Sequence, residues 1–462
     1  MGKIEKALRY NLRLAVAISR KYARFLILGV VCGSILFYFL PLLRNSARFQ
    51  IETRSIGIVG QYSISDLPYE VLSLTSQGLT TISPDGSVTS GIAKLWEGSE
   101  DSKVFKFFLD PDIKWQDGEN INADQISYSF KGVERSVVSD QVLEFKLNDS
   151  YSPFPVSVSR PVFRFSKSSY PKFLVKLFPC WFQIPPVGTG KYGLGCSKRD
   201  RSGVTSIALI PLDKALPKLV YKFYPTEEVA ITAFKLGEVK ELRDLSSPQM
   251  LTEWPDVSIH GEERADRFVG LFFNAGKDPF SDKNVRQALA YAINKNLFPN
   301  RAVSPISPSS WAYNNQVKLY EKDTARSLEL FKKTGVKVSE INIEISTFPW
   351  LLRQAEVIKR EWKEAGIESS VKVVSLIPEE FDVLLAAQGI PADPDQYGLW
   401  HSTQQTNLSR LKNPKIDKLL EDGRRKVDVF ERKKIYLDFQ RFLAEESPVI
   451  FLYHPISYTV SR

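Results

Sequence analysis

Asp393 and Asp395, two residues apart in "PADPDQY", are the pair in this 462-residue chain best spaced for acid–base work. On an extended segment both carboxylates face one side, where they could share a proton or hold a cation. More often such a pair is a solvated turn, and no nucleophile, base or metal ligand stands close to it in sequence. The three histidines, His260, His401 and His454, are far apart and in no HExxH spacing, so a histidine metal site is weak. No G-x-S-x-G elbow occurs. "PPVGTGKYG" (185–193) has the Gly-Lys of a phosphate-binding loop, but Pro185 replaces the first glycine and Tyr192 replaces the magnesium-binding Ser or Thr. It reads as a Gly-rich turn. Aromatic residues, 12% of the chain, are the better signal. Tyr62, Trp181, Trp311, Trp350, Tyr397 and Trp400 sit beside loop signals, where rings suit a pocket that binds by shape and stacking. Taken singly, each is more often core or surface packing.

These residues need elements to position them. "RSIGIVG" (54–60) and the apolar "FVGLFFN" (268–274) read as strands, as do "INIEISTF" and "ESSVKVVSL". "SDKNVRQALAYAINK" has Ser281 or Asp282 as cap and an apolar face, "TARSLELFKKTG" ends on Gly335, and "LRQAEVIKREWKEAGI" closes on Gly366. "NADQISYSFKGVER" is expected to be a short helix capped by Asn122. Between 140 and 215 the chain is strand-rich and proline-punctuated, including "PVFRFS". Strands alternating with helices point to α/β lobes carrying a strand-rich insertion.

Two-thirds of the net charge of +9 lies before Phe25, where seven Lys and Arg face the single Glu5. The rest carries no long basic block, which argues against nucleic-acid binding. Phe25 to Leu43 is nineteen residues without a charge, enough to span a bilayer core. The basic tail favours a cytoplasmic N-terminus and an exported body. A cleaved signal peptide is the competing reading, but the tail is long and no A-x-A-like site follows. Val31 stands where a lipoprotein site at Cys32 needs a small residue. Cys180 and Cys196 flank the Gly-Thr-Gly turn; in an oxidising compartment a disulfide between them and two free thiols are equally open.

In order along the chain, "GLTTISPDGSVTSGIAKLWE", "FKFFLDPDIKWQDGENINADQISYSF", "PVGTGKYGL", "LFFNAGKDPFSDKNVRQALAYAIN" and the C-terminal "RKKIYLDFQRFLAEESPVIFLYH" resemble the extracellular solute-binding proteins that serve peptide, oligopeptide and nickel ABC transporters. The resemblance implies a two-lobe α/β fold of the periplasmic-binding-protein type II class, with no cofactor and no catalysis. Gly188, Thr189 and Gly190 match a structural turn of the family, where glycines permit positive φ and close backbone approach. The implied organisation is a tail at 1–24, a transmembrane anchor at 25–43, lobe I at 46–268 with its insertion at about 140–215, lobe II at 269–445, and a return to lobe I at 446–462. The hinge is expected near "FVGLFFN" and "SPVIFLYH". The expected ligand residues are Tyr62 at the first strand's exit, Asn274 at the hinge, Trp350, and Asp395 with Tyr397 at the cleft mouth. The implied partners are a peptide-like solute, an ABC permease and the inner membrane, with the body outside the cytoplasm. One departure matters: peptide-binding members commonly carry an aspartate three residues before the "D/E-P" pair, where it holds the ligand's ammonium. Here that place is Ile390, unless Asp393 or Asp395 substitutes. A sensor or scaffold that has lost transport is the alternative function.

Overall fold

The computed structural model describes residues 21–23, 29, 31, 33–34, 52–63, 66–165, 185–201 and 203–462. Cys32, Cys180, Trp181 and most of the 25–43 stretch lie outside these residues. The chain divides into two compact units, one of Met1–Thr53 with Lys214–Pro217, the other of Arg54–Asp213 with Lys218–Arg462. Among the described residues no helix is long and apolar enough to cross a membrane.

The second unit holds both lobes. It opens on β1 (Thr53–Val59) and the short helix α1 (Tyr69–Ser73), followed by the hairpin of β2 (Thr80–Ile82) and β3 (Val88–Ser90). Then come β4 (Ala93–Gly98), β5 (Val104–Leu109), β6 (Val133–Ser139) and β7 (Val142–Leu147), which form their own four-stranded antiparallel sheet in the order β4-β5-β7-β6. Phe105, Phe107 and Phe145 alternate onto one face of it and pack with Phe154 and Trp115.

Next follow β8 (Tyr192–Asp200), β9 (Gly203–Pro211), β10 (Lys218–Tyr224), helix α2 (Glu227–Lys235), β11 (Glu241–Leu245) and β12 (Ser258–Glu263). They join β1 and the last strand, β18 (Ile456–Ser461), in a seven-stranded sheet ordered β12-β18-β11-β1-β10-β9-β8. β1 and β11 run parallel. The crossover helix α2, N-capped by Thr226, buries Ala230, Ile231 and Phe234 against Val239, Leu242 and Leu245.

Lobe II begins at β13 (Arg267–Phe273). Helices α3 (Lys283–Tyr291), α4 (Thr324–Thr334) and α5 (Leu352–Glu364) alternate with β14 (Asn342–Thr347), β15 (Glu368–Val373) and β16 (Val383–Gly389). Helices α6 (Pro414–Arg425) and α7 (Val429–Glu446) precede β17 (Val449–Tyr453). The sheet order is β15-β14-β16-β13-β17, with β14 parallel to both β15 and β16. The inner strands β13 and β16 and the strand β17 are buried on both faces, which is why they read as nearly unbroken apolar runs, whereas the edge strand β15 is largely exposed. Caps follow the sequence: Asp282, not Ser281, accepts from Asn284 N at α3, and Gly335 ends α4 in the left-handed region at φ 71°.

Three expectations change, and the hinge is placed more finely. The chain passes between lobes at Arg264–Asp266 and at His454–Pro455, just before "FVGLFFN" and at the end of "SPVIFLYH". "FVGLFFN" itself is an inner strand of lobe II, between β16 and β17. The separate sheet spans Ala93–Leu147 instead of 140–215, because β8 and β9 join the lobe I sheet. The helix expected at 122–135 is a single turn, Ala123–Gln125, after which the chain runs without regular structure to β6. "PVFRFS" contributes one bridge, Arg164 to Val187, rather than a strand.

Candidate functional site

The Gly-Thr-Gly turn is a joint. A Cβ on Gly188 would lie 2.1 Å from Thr75 O, and one on Gly190 would lie 2.4 Å from Leu74 O, so two backbones touch where no side chain fits. Close approach is what these glycines supply; neither has positive φ. Gln116 of "WQDG" completes the joint. Its Nε2 donates to Thr75 O (3.1 Å), Gly190 O (3.0 Å) and Tyr192 O (2.8 Å), and its Oε1 accepts from Gly188 N (3.2 Å). The donors that a phosphate would need are therefore bound within the protein.

The carboxyl ends of β1 and β11 carry a different kind of cluster, beside the first crossing. Asp244 on β11 sits at φ 59°, a left-handed conformation that aspartate tolerates. Its carboxylate accepts from Arg264 Nη1 (2.5 Å) and Ser457 Oγ (2.8 Å), with Arg267 Nη2 at 3.8 Å. Arg264 also grips Asp266 through two bonds, of 2.9 and 2.7 Å. Burial would raise the Asp266 carboxyl, but the hydrogen bond and charge of Arg264, with the charge of Arg267, hold it below its ordinary value. Tyr62 leans on Phe223, with ring centroids 4.9 Å apart, and its hydroxyl donates to Val59 O (3.2 Å). Burial, then the charges of Asp244, Glu70 and Asp66, push its hydroxyl up. Burial likewise raises Glu70, against the opposing charge of Arg243.

Across the crossing, Arg267 pairs opposite Gly389, the last residue of β16. β14 stops pairing at Thr347, opposite Leu385, while β16 runs on to Gly389. Ile390 N donates to Asp266 O (2.7 Å), on the β13 side. Backbone groups alternate in direction along a strand, so Ala387 and Gly389 turn their N–H and C=O toward the edge that β14 has left. Trp350, 51% exposed, stands in the turn directly after β14, at the same carboxyl end of the sheet. Ligands of open α/β sheets bind outside such strand ends.

The expected site residues divide. Tyr62 and Trp350 lie at strand carboxyl ends, one in each lobe. Asn274 is at the far end of β13, 1% exposed; its Nδ2 donates to Phe381 O (3.0 Å) and its Oδ1 accepts from Gly276 N (3.2 Å). Because β13 runs antiparallel to β16, this end faces away from the crossing, and the residue ties strand ends together. Asp395 is held by Arg424 Nε at 3.1 and 2.9 Å, and the Arg424 guanidinium lies 4.0 Å over the Tyr397 ring. Asp393 makes a buried bidentate pair with Arg432, at 3.1 and 2.6 Å. Ile390 is buried in the second core of lobe II, with Phe268 and Trp400. Neither aspartate of "PADPD" therefore offers a free carboxylate in its place. Asp244, Arg264, Asp266 and Arg267 were not singled out from the sequence. The signal was the charged run "GEERADR" between two strands.

Among the described residues no group of three His, Cys, Asp or Glu could hold a metal ion. Cys196 is disulfide-bonded, and both other cysteines lie outside the described residues. A cavity of about 680 Å³ inside lobe I is lined by α1, the 160–165 segment and β8, including Tyr69, Arg160, Phe163 and Arg199.

Residues 87–409 match the family model of bacterial extracellular solute-binding proteins, family 5. The dipeptide-binding protein of Escherichia coli is 24% identical over 85% of each chain. The nickel-binding periplasmic protein of the same organism is 24% identical over 84% of each. Among solved structures, NikZ from Campylobacter jejuni in complex with Ni(L-His) superposes with a TM-score of 0.69 at 23% identity, covering 89% of this chain and 94% of that one. AppA from Bacillus subtilis in complex with a nonapeptide gives 0.64 at 19% identity, covering 89% and 94%. These likenesses establish the two-lobe fold.

Proposed function

The chain belongs to the bacterial extracellular solute-binding proteins of family 5, and on that premise we propose that it captures a peptide-like small solute outside the cytoplasm and hands it to an ABC importer. The family binds substrates and is not one of enzymes. The observation that carries the reading is the open edge of β16 at Ala387–Gly389, beside the crossing. An extended ligand laid on that edge would gain main-chain hydrogen bonds, with side chains in the space bounded by Tyr62 and Trp350. Closure of the lobes would then bury it.

The nineteen-residue run from Phe25 is read as an uncleaved anchor in the inner membrane, N-terminus inside; membrane pelleting that resists carbonate extraction tests this. Cys180 is read as the partner of Cys196, and a non-reduced digest analysed by mass spectrometry tests that. The test of the function itself is thermal unfolding of the purified chain with short peptides, free amino acids and Ni(L-His). A ligand at a hundred times its dissociation constant adds roughly 2.7 kcal/mol. A shift with one class names the cargo. The alternative, a binding fold turned sensor or scaffold, is favoured by one observation, the engagement of both aspartates with arginines and of Ile390 with the core. No shift with any class from a folded protein would support it.

A further inference from the structure

β16 is apolar from Val383 to Ala387, and its side chains alternate between the two cores of lobe II, Leu385 to the first and Leu384 and Ala386 to the second. Gln388 interrupts this run on the face of Leu384, Ala386 and Ile390. The residue is only 7% exposed, and its Oε1 is buried without a hydrogen-bond partner. A buried amide oxygen left unpaired is rare in native proteins and needs an explanation. A second buried amide with an unpaired atom, here the nitrogen, lies on the segment that follows β16. Gln396 is fully buried; its Oε1 takes the Trp400 Nε1–H at 3.2 Å, and its Nε2 has no partner. The neighbouring charges are matched, Asp393 by Arg432 and Asp395 by Arg424, and Ile390 N is bound to Asp266 O.

We infer that Gln388 is a specificity-determining residue, whose neutral amide oxygen accepts an N–H of the bound solute. The inference rests on the reading of the β16 edge as the binding edge. A ligand on Ala387–Gly389 lies alongside Gln388, and an uncharged acceptor there satisfies an amide N–H as readily as an ammonium. The chain therefore takes solutes irrespective of a free amino terminus, such as N-blocked peptides and carboxamides, and does not select for zwitterionic peptides.

The experiment uses the full chain in detergent, with trialanine and N-acetyl-trialanine as probes, and compares wild type, Gln388→Leu and Gln388→Glu. Wild type is expected to bind the two probes within about threefold of each other, Gln388→Leu to weaken both by about tenfold, and Gln388→Glu to favour free trialanine by about tenfold or more. Wild type favouring free trialanine by that margin, or Gln388→Leu binding unchanged, would overturn the assignment. If neither probe binds any of the three, the peptide reading of the edge fails, and the ligand-free proteins still decide about Gln388. An oxygen that waits for a ligand is not missed in its absence, so Gln388→Leu should unfold at or above the wild-type temperature. A fall of more than about 3 °C would make the amide a structural group and end the proposal.

Discussion

Two stretches only a few residues apart, the "PADPD" loop and the end of β16 before it, answer the same requirement in opposite ways. The loop holds the charges, and each is matched: Asp393 with Arg432, both buried, and Asp395 with Arg424. The strand end holds no charge, and its groups are unmatched, with Ala387 and Gly389 facing an edge that β14 has left. A buried ion pair fixes a loop but has nothing left for a ligand, because removing either partner strands the other. Uncompensated backbone and amide groups cost stability and are what a polar solute can satisfy. The conspicuous carboxylates serve the scaffold, and in the proposed reading binding falls to backbone and amide groups that carry no motif.

The contrast can be broken most forcefully at Asp393. Asp393→Ala leaves Arg432 buried without its partner and should cost about 3–5 kcal/mol in denaturant unfolding; a loss under about 1 kcal/mol would mean that the pair is not the loop's anchor. Asp395→Asn, beside a more exposed arginine, should cost about 1–2 kcal/mol and leave ligand preference as it was. A switch in preference with no loss of stability would return Asp395 to the binding site.

The crossing gives a smaller, pH-dependent effect. The Asp266 carboxyl is held below its ordinary value, so the folded state binds its proton less readily than the unfolded chain does. The stability it contributes is present above the ordinary carboxylate range and is lost as pH falls through the folded value. The side chain is half exposed, so Asp266→Asn should cost under about 1 kcal/mol at neutral pH, with the two proteins converging in acid. Divergence in acid would contradict the sign. Trp350→Ala is the mildest, within about 0.5 kcal/mol of wild-type stability because the ring is exposed. Its binding should weaken measurably in calorimetry, and unchanged affinity would remove Trp350 from the site.

Much of this was legible in the sequence. Caps and periods marked α4 and α5, and an apolar run marked β13, because both-face burial leaves a local signature. Gly188 and Gly190 were rightly read as places of close approach, although the partner backbone, Leu74–Thr75, is more than a hundred residues away and nothing local names it. Asn274 misled, because "FVGLFFN" looks the same whether the strand leads into a crossing or away from one. Only its antiparallel pairing with β16 decides that end. The helix at Asn122 starts as read, with Gln125 accepting the Asn122 N–H at 3.1 Å in a capping box and the Trp115 indole N–H at 2.7 Å. It stops after one turn, where Ile126 is extended at ψ 119°. The β16 edge was invisible, since an unpaired edge depends on where a distant strand stops.

The most direct test is residue-resolved amide hydrogen exchange of the full chain, with and without a saturating mixture of di- and tripeptides. The account predicts new protection at Ala387 and Gly389, with the amides of Asp393 to Tyr397 unchanged. Protection confined to the "PADPD" loop, or to the Tyr69 and Phe163 walls of the lobe I cavity, with Ala387 and Gly389 exchanging as before, would contradict it.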